Sequence, residues 1–295
     1  MRRLVALLAL AVLPAVAAPR GSFSEALTAG SGPYIGNSLS AGLSPGPVDV
    51  DLGYDFGTDQ DLVLFHSLWG SLGVWPDRDV RVSFDVDVGP KVSSDSPTRG
   101  HYALGSIGGG ASLAYHPGRR RGEVRPYAQV GVGIEHLDVE GSQTPGATSP
   151  ATGSFTQTTL GGNVGVDVND TSVRFGASKF FYGEDAGAVQ LPPGIGNGPL
   201  SLGAGQAALP TRPEDWNLRA SVRQRFGGSN EWDTTVRFTY APYIDDEGSI
   251  VATNVRLGRD ITRELRGYVG ITGQVETLSS STFGLFGTAG LSVVF

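Results

Sequence analysis

Apolar and polar positions alternate along most of the chain. In residues 48–56, "VDVDLGYDF", Val48, Val50, Leu52, Tyr54 and Phe56 share one parity and Asp49, Asp51, Gly53 and Asp55 the other. Residues 80–89 repeat the arrangement, with Val80, Val82, Phe84, Val86 and Val88 opposite Arg81, Ser83, Asp85, Asp87 and Gly89. Residues 216–226 set Trp216, Leu218, Ala220 and Val222 against Asn217, Arg219, Ser221, Arg223 and Arg225. Successive residues of a strand point to opposite faces, so this period of two predicts strands with one oily and one charged face. Further strands are predicted near 61–74, 102–116, 124–139, 155–168, 172–182, 232–242, 250–258, 265–276 and 282–295. That makes about 12 strands, within a range of about 10 to 14, because "YIGNSLSAGLS" at 34–44 can add one or two.

These strands are longer than the usual five or six residues of a globular sheet and match a tilted span of a membrane's hydrocarbon layer. Short turns at 75–79, 117–123, 169–171, 227–230 and 259–264 alternate with generally longer connections at 91–100, 140–154 and 184–214. The connections "GTDQD" and "IDDEG" are short exceptions on the long side. A soluble sandwich would bury the oily face, whereas a transmembrane barrel turns it outward to lipid and keeps charge in a wet lumen. Aromatic placement favours the barrel. Trp75, Tyr115, Tyr127, Phe226 and Trp232 lie beside the short turns, and Tyr54, Phe56, Tyr182, Trp216, Tyr240 and Tyr243 near the longer loops. Two belts of this kind suit the two membrane interfaces.

At the start of the chain, Arg2 and Arg3 precede an apolar run over 4–16 and the small-residue pattern Ala15-Val16-Ala17, the layout of a secretory signal peptide cut near Ala17. No later stretch reaches the roughly 18 apolar residues of a membrane helix, so strands are the only way left to span a bilayer. The expected organisation is a signal peptide over 1–17 and an N-terminal segment over 18–47, serving as a periplasmic piece, a plug or extra strands. A single all-β, antiparallel up-and-down barrel over 48–295 follows, with its N-terminus in the periplasm. Among 295 residues there are 44 glycines, no cysteine and 17% charged residues. Without disulfides, a secreted chain depends on its own sheet. The net charge of -7 argues against nucleic acid as a partner.

The chain ends on "LFGTAGLSVVF", whose apolar or small positions alternate down to Phe295. This terminal strand resembles that of bacterial outer-membrane β-barrel proteins. The hairpin "LAYHPGRRRGEVRPYAQVGVG" at 113–133 likewise resembles those of the small outer-membrane β-barrel domain family. The resemblance implies an outer-membrane location, contact with membrane lipids, and recognition of the terminal strand by the barrel-assembly machinery. It also implies that the last strand pairs with the first, expected near Val48, and that Phe295 joins the periplasmic belt.

No motif for chemistry stands out. The glycine-rich runs "GSIGGGAS" and "GVGIEH" lie inside strands, with no helix N-terminus to cradle a phosphate. Of the four histidines, His66, His101, His116 and His136, only His101 and His136 are expected near one another, close to Glu135 and Asp138, and then as a weak metal site at most. His66-Ser67 is too little for a hydrolase. "DDEG" at 245–248 reads as a charged hairpin turn, and Arg119, Arg120 and Arg121 as a basic turn within reach of lipid phosphates. Neither a cofactor nor a catalytic residue is expected, and the protein is not read as an enzyme.

The lumen pattern carries more. Inward positions of the N-terminal strands hold Asp49, Asp51, Asp55, Asp85 and Asp87 with one arginine, Arg81. Later strands turn Arg174, Arg219, Arg223, Arg225, Arg237, Arg256 and Arg266 inward. Buried charge must pair or stay hydrated. Separated walls imply a narrow porin-like passage for small polar solutes or ions. Bridged walls imply a closed structural or adhesive barrel acting through its loops. The segment 184–214, uncharged between Asp185 and Arg212, either folds into the lumen or stays at the surface.

Overall fold

In the computed structural model, residues 20–31, 34–59, 62–96, 100–117, 124–142, 151–183, 214–227, 231–244, 248–277 and 281–295 are described. The predicted signal peptide, the arginine turn at 119–121, most of the segment 184–214 and the acidic positions 245–247 lie outside them. The chain forms β1 (Arg20–Gly30), β2 (Tyr34–Ser44), β3 (Val48–Asp59), β4 (Leu62–Val74), β5 (Val80–Ser96), β6 (Gly100–Tyr115) and β7 (Arg125–Ser142). It continues through β8 (Ala151–Val168), β9 (Thr171–Tyr182), β10 (Trp216–Phe226), β11 (Trp232–Pro242), β12 (Ser249–Asp260), β13 (Leu265–Thr277) and β14 (Ser281–Val294). Every strand pairs antiparallel with its sequence neighbours, and β14 pairs with β1, closing a barrel of 14 strands.

The alternation decides which way each strand faces. Leu52, Val86, Ile134 and Phe283 are 58–64% exposed on the outer surface. Their sequence neighbours Asp51, Asp85, Glu135 and Thr282 take the opposite, lumen-facing parity. An outer surface this apolar is stable in hydrocarbon and sticky in water, and closure leaves no free edge. Glu25 and Asn37 interrupt it, facing outward from β1 and β2 with the Asn37 amide 3.3 Å from a Glu25 carboxylate oxygen.

Of the alternatives expected for the N-terminal segment, residues 20–44 take that of extra strands, building β1 and β2, so the barrel starts at Arg20 and its seam lies there and not at Val48. The seam lies between β1 and β14, from Ser22 opposite Val294 to Gly30 opposite Phe286. The Gly21 and Phe295 backbones exchange two hydrogen bonds at its end, of 2.8 and 2.9 Å. Part of the loop expected at 91–100 is strand instead, because β5 runs to Ser96. It passes Pro90, which has no N–H to give, through a register shift between Gly89 and Val92. Asn169, with φ of 52°, opens the tight turn from β8 to β9, a conformation asparagine tolerates.

Most of the buried apolar side chains sit inside the barrel, largely at the end away from the termini. There Tyr34 meets Phe286 edge-on at 5.7 Å, Phe155 meets Tyr182 at 5.9 Å, and Ala241, Tyr243 and Ile250 form a cluster. Below this collar the lumen is lined with polar and charged groups.

Candidate functional site in the lumen

All thirteen predicted lumen residues take the inward parity of their strands. The acidic wall comprises Asp49, Asp51 and Asp55 on β3 and Asp85 and Asp87 on β5, with Glu135 of β7 added to those expected. The basic wall comprises Arg219, Arg223 and Arg225 on β10, Arg237 on β11, Arg256 on β12 and Arg266 on β13, with Arg174 on β9 at its edge. The centres of the two walls, β5 and β12, are seven strands apart in either direction around the ring of 14. With the usual strand spacing and tilt, such a ring is about 28 Å across, so even an arginine reaching about 7 Å inward ends well short of the far wall. Between the walls, β14, β1 and β2 present hydroxyls, with Ser24 bonded to Ser40 at 2.6 Å and Thr28 to Thr288 at 3.0 Å.

The ion pairs confirm this separation for the groups they join. Arg81 pairs with Asp49 at 3.5 Å within the acidic wall. Arg174 pairs with Asp167 at 2.6 Å, and Arg223 with Asp233 at 2.6 Å. Arg266 pairs with Asp233 and also with Asp260, the latter at 2.6 Å. Arg219 donates to the Ser178 hydroxyl at 2.9 Å, and the Arg256 guanidinium lies over the Tyr268 ring at 5.0 Å. Each arginine in these pairs finds its carboxylate within two strands. Asp167, Asp233 and Asp260 were not singled out from the sequence. Asp233 was within reach of the same reasoning, because Trp232 faces outward and its neighbour must then face in.

Glycines let these long side chains lie flat. A Cβ at Gly53 would overlap the Trp69 indole, one at Gly73 the Arg81 guanidinium, and one at Gly108 the Asp87 carboxylate. The neighbour occupies the space that a side chain would have taken, which keeps the lumen wide.

The aromatic belts need correction at four positions. Trp216 and Tyr240 face outward and meet edge-on at 5.4 Å, and Trp232 faces outward beneath Arg259 at 4.8 Å. Tyr115 and Phe295 are exposed on the outside, as expected. Trp75 and Tyr127 turn inward instead, as do Tyr182 and Tyr243 at the other end. Trp75 donates to Asp49 at 2.7 Å, and Tyr127 to the Gln129 side-chain oxygen at 2.6 Å. His116 lies between them, its ring 6.3 Å from Trp75 and 4.4 Å from Tyr127, and Arg174 caps Tyr127 at 4.6 Å. The three rings thus span the terminal mouth between two arginine–aspartate pairs. Partial burial first, and then the charge of Arg174, hold His116 below the ordinary histidine range; Asp167 opposes this and Arg81 adds to it. His101 and His136 do not converge. His136 sits opposite Ile107, six residues along β6 from His101, and they bond Thr156 and Asp95 respectively.

No protein-family model and no curated protein matches the sequence. Among solved structures, the CymD monoaromatic hydrocarbon channel is similar, with 11% identity, a TM-score of 0.53, and 94% of this chain and 88% of that chain covered. CdiB from Acinetobacter baumannii is similar at 8% identity and a TM-score of 0.53; 96% of this chain aligns, spanning 61% of that one. This is an outer-membrane β-barrel fold. A third similar structure, the KdgM porin, has 10% identity, 93% and 99% coverage of this chain and that one, and a TM-score of 0.41. The 14 strands of the present barrel exceed the twelve expected and stand at the top of the expected range.

Proposed function

We propose that the barrel is a narrow, passive passage for small polar solutes or ions across the bacterial outer membrane, reached after removal of the signal peptide near Ala17. The observation that carries this reading is the placement of two walls of opposite charge half a turn apart, with the observed pairing kept inside each wall. A water-filled gap between them would carry a transverse field, which orients and filters dipolar or charged solutes. Nothing in the reading calls for a catalytic step. Planar-bilayer recording of the refolded chain tests it. Discrete conductance is expected, and replacing Arg219, Arg225 and Arg256 by glutamine should move the reversal potential in a salt gradient towards cation preference. Arg223 is left intact because it holds the buried Asp233.

The apolar collar at the loop end favours a second reading, a closed barrel that works through its loops. A hydrophobic ring can also be the constriction of a channel. Silent bilayers across repeated insertions would sink the passage and leave the closed barrel.

A further inference from the structure

Along the acidic wall lies a cavity of about 480 Å³, within the range of small-ligand sites. The Trp69 indole lies over Gly53, where no side chain stands between it and the wall. Two rows of strand pairing cross the cavity: Trp69, Asp87, Gly108 and Glu135 follow one another in the first, and Asp51, Ser71 and Asp85 in the second. Carboxylates in each row are therefore two strands apart, roughly 10 Å between backbones. That spacing is too wide to close on a bare metal ion, and no cluster of metal-ligating residues occurs among the described residues. It suits a larger cation.

Two features show that the cavity wants a polar occupant. Ser67 and Ser83 are 6% and 4% exposed, line the cavity, and form no hydrogen bond with any described residue. Arg81, the one cation among the lining residues, pairs with Asp49 and also acts on Asp51, which leaves Asp85, Asp87 and Glu135 without an ion pair to a described residue.

We propose that this cavity binds small organic cations carrying an ammonium or guanidinium group. Trp69 offers its ring to the cation, Asp85 and Asp87 accept its N–H bonds, and Ser67 and Ser83 complete the polar contacts. Cation recognition by an aromatic face beside carboxylates is strong where water is partly excluded. The proposal deepens the passage reading, resting on it for how a solute arrives; binding itself needs no transport.

The test uses the full mature chain refolded in detergent micelles, titrated by calorimetry with butylammonium, then with butyrate and glycerol as size-matched controls. Butylammonium should bind and the controls should not. Asp85→Asn with Asp87→Asn should weaken binding about tenfold or more, and Trp69→Leu roughly three- to tenfold, with Trp69→Phe in between. Heat-modifiable migration on gels verifies that each variant is folded. Equal binding of butylammonium and butyrate, binding untouched by the aspartate variants, or no binding by a folded chain would each overturn the site. Glycerol binding alone would make it a polyol site and overturn it equally. Binding without conductance would instead retire the passage and keep the site.

Discussion

At the scale of single residues, the barrel depends on where side chains are missing. Gly53 and Gly287 are both strand glycines, yet only the first is covered. A valine at 53 must push Trp69 off the wall, so Gly53→Val should cost about 1–3 kcal/mol in urea unfolding of the refolded protein, as overpacking does. A Cβ at Gly287 meets nothing nearer than the Ala29 carbonyl oxygen at 3.9 Å on the lipid side. Gly287→Ala should therefore be neutral or slightly stabilising, and equal losses at both positions would refute the covering role. His116 supplies a second residue-scale prediction. Its folded pKa is depressed, so its contribution to stability is complete above the unfolded value of about 6.5 and is lost as pH falls through the folded value. Between pH 7.5 and 5 the native barrel should lose more urea resistance than His116→Gln does, and identical losses would show that the ring stack at the mouth does not sense the proton.

At the scale of elements, closure depends on the two N-terminal strands. β1 bonds β14 along its whole length and β2 along the other side, so a chain beginning at Pro47 would leave two open edges. That truncation should give no heat-modifiable band, while the chain from Ala18 should give one; a folded, heat-modifiable truncation would mean that β3 can close on β14. The difference between β1 and the other strands also explains what could be read in advance. From β3 onward, valines and aromatics alternate with charges, and strand positions and facing followed from period two alone. In "RGSFSEALTAG" the outward parity of β1 carries Glu25 among Phe23, Leu27 and Ala29, and the inward parity is serine, alanine and threonine, so the contrast between faces is weak. The inward turn of Trp75 and Tyr127 was illegible for a different reason. Their place near a rim is a matter of sequence, but their direction depends on Asp49, His116 and Arg174, which three other segments bring to the same mouth.

For the whole molecule, the decisive question is whether the two charged walls are independent. If they are a channel's two walls, held about 28 Å apart backbone to backbone, changing one should leave the energetics of the other untouched. Substitutions more than about 10 Å apart with no shared partner add to within about 0.5 kcal/mol, whereas members of one ion-pair network couple by about 0.5–3 kcal/mol. Asp85→Asn with Asp87→Asn on β5, and Arg219→Gln with Arg256→Gln on β10 and β12, form the two arms of a cycle. None of these four residues forms an ion pair with a described residue across the lumen. Urea unfolding of the native chain, each arm and the combination should therefore close additively at low ionic strength, where any long-range attraction is least screened. A coupling above about 1 kcal/mol would mean that the walls meet, which is the closed barrel. Additivity would leave a hydrated gap as the remaining way for a wall of aspartates to face a wall of arginines, because neither could stay charged in a dry lumen.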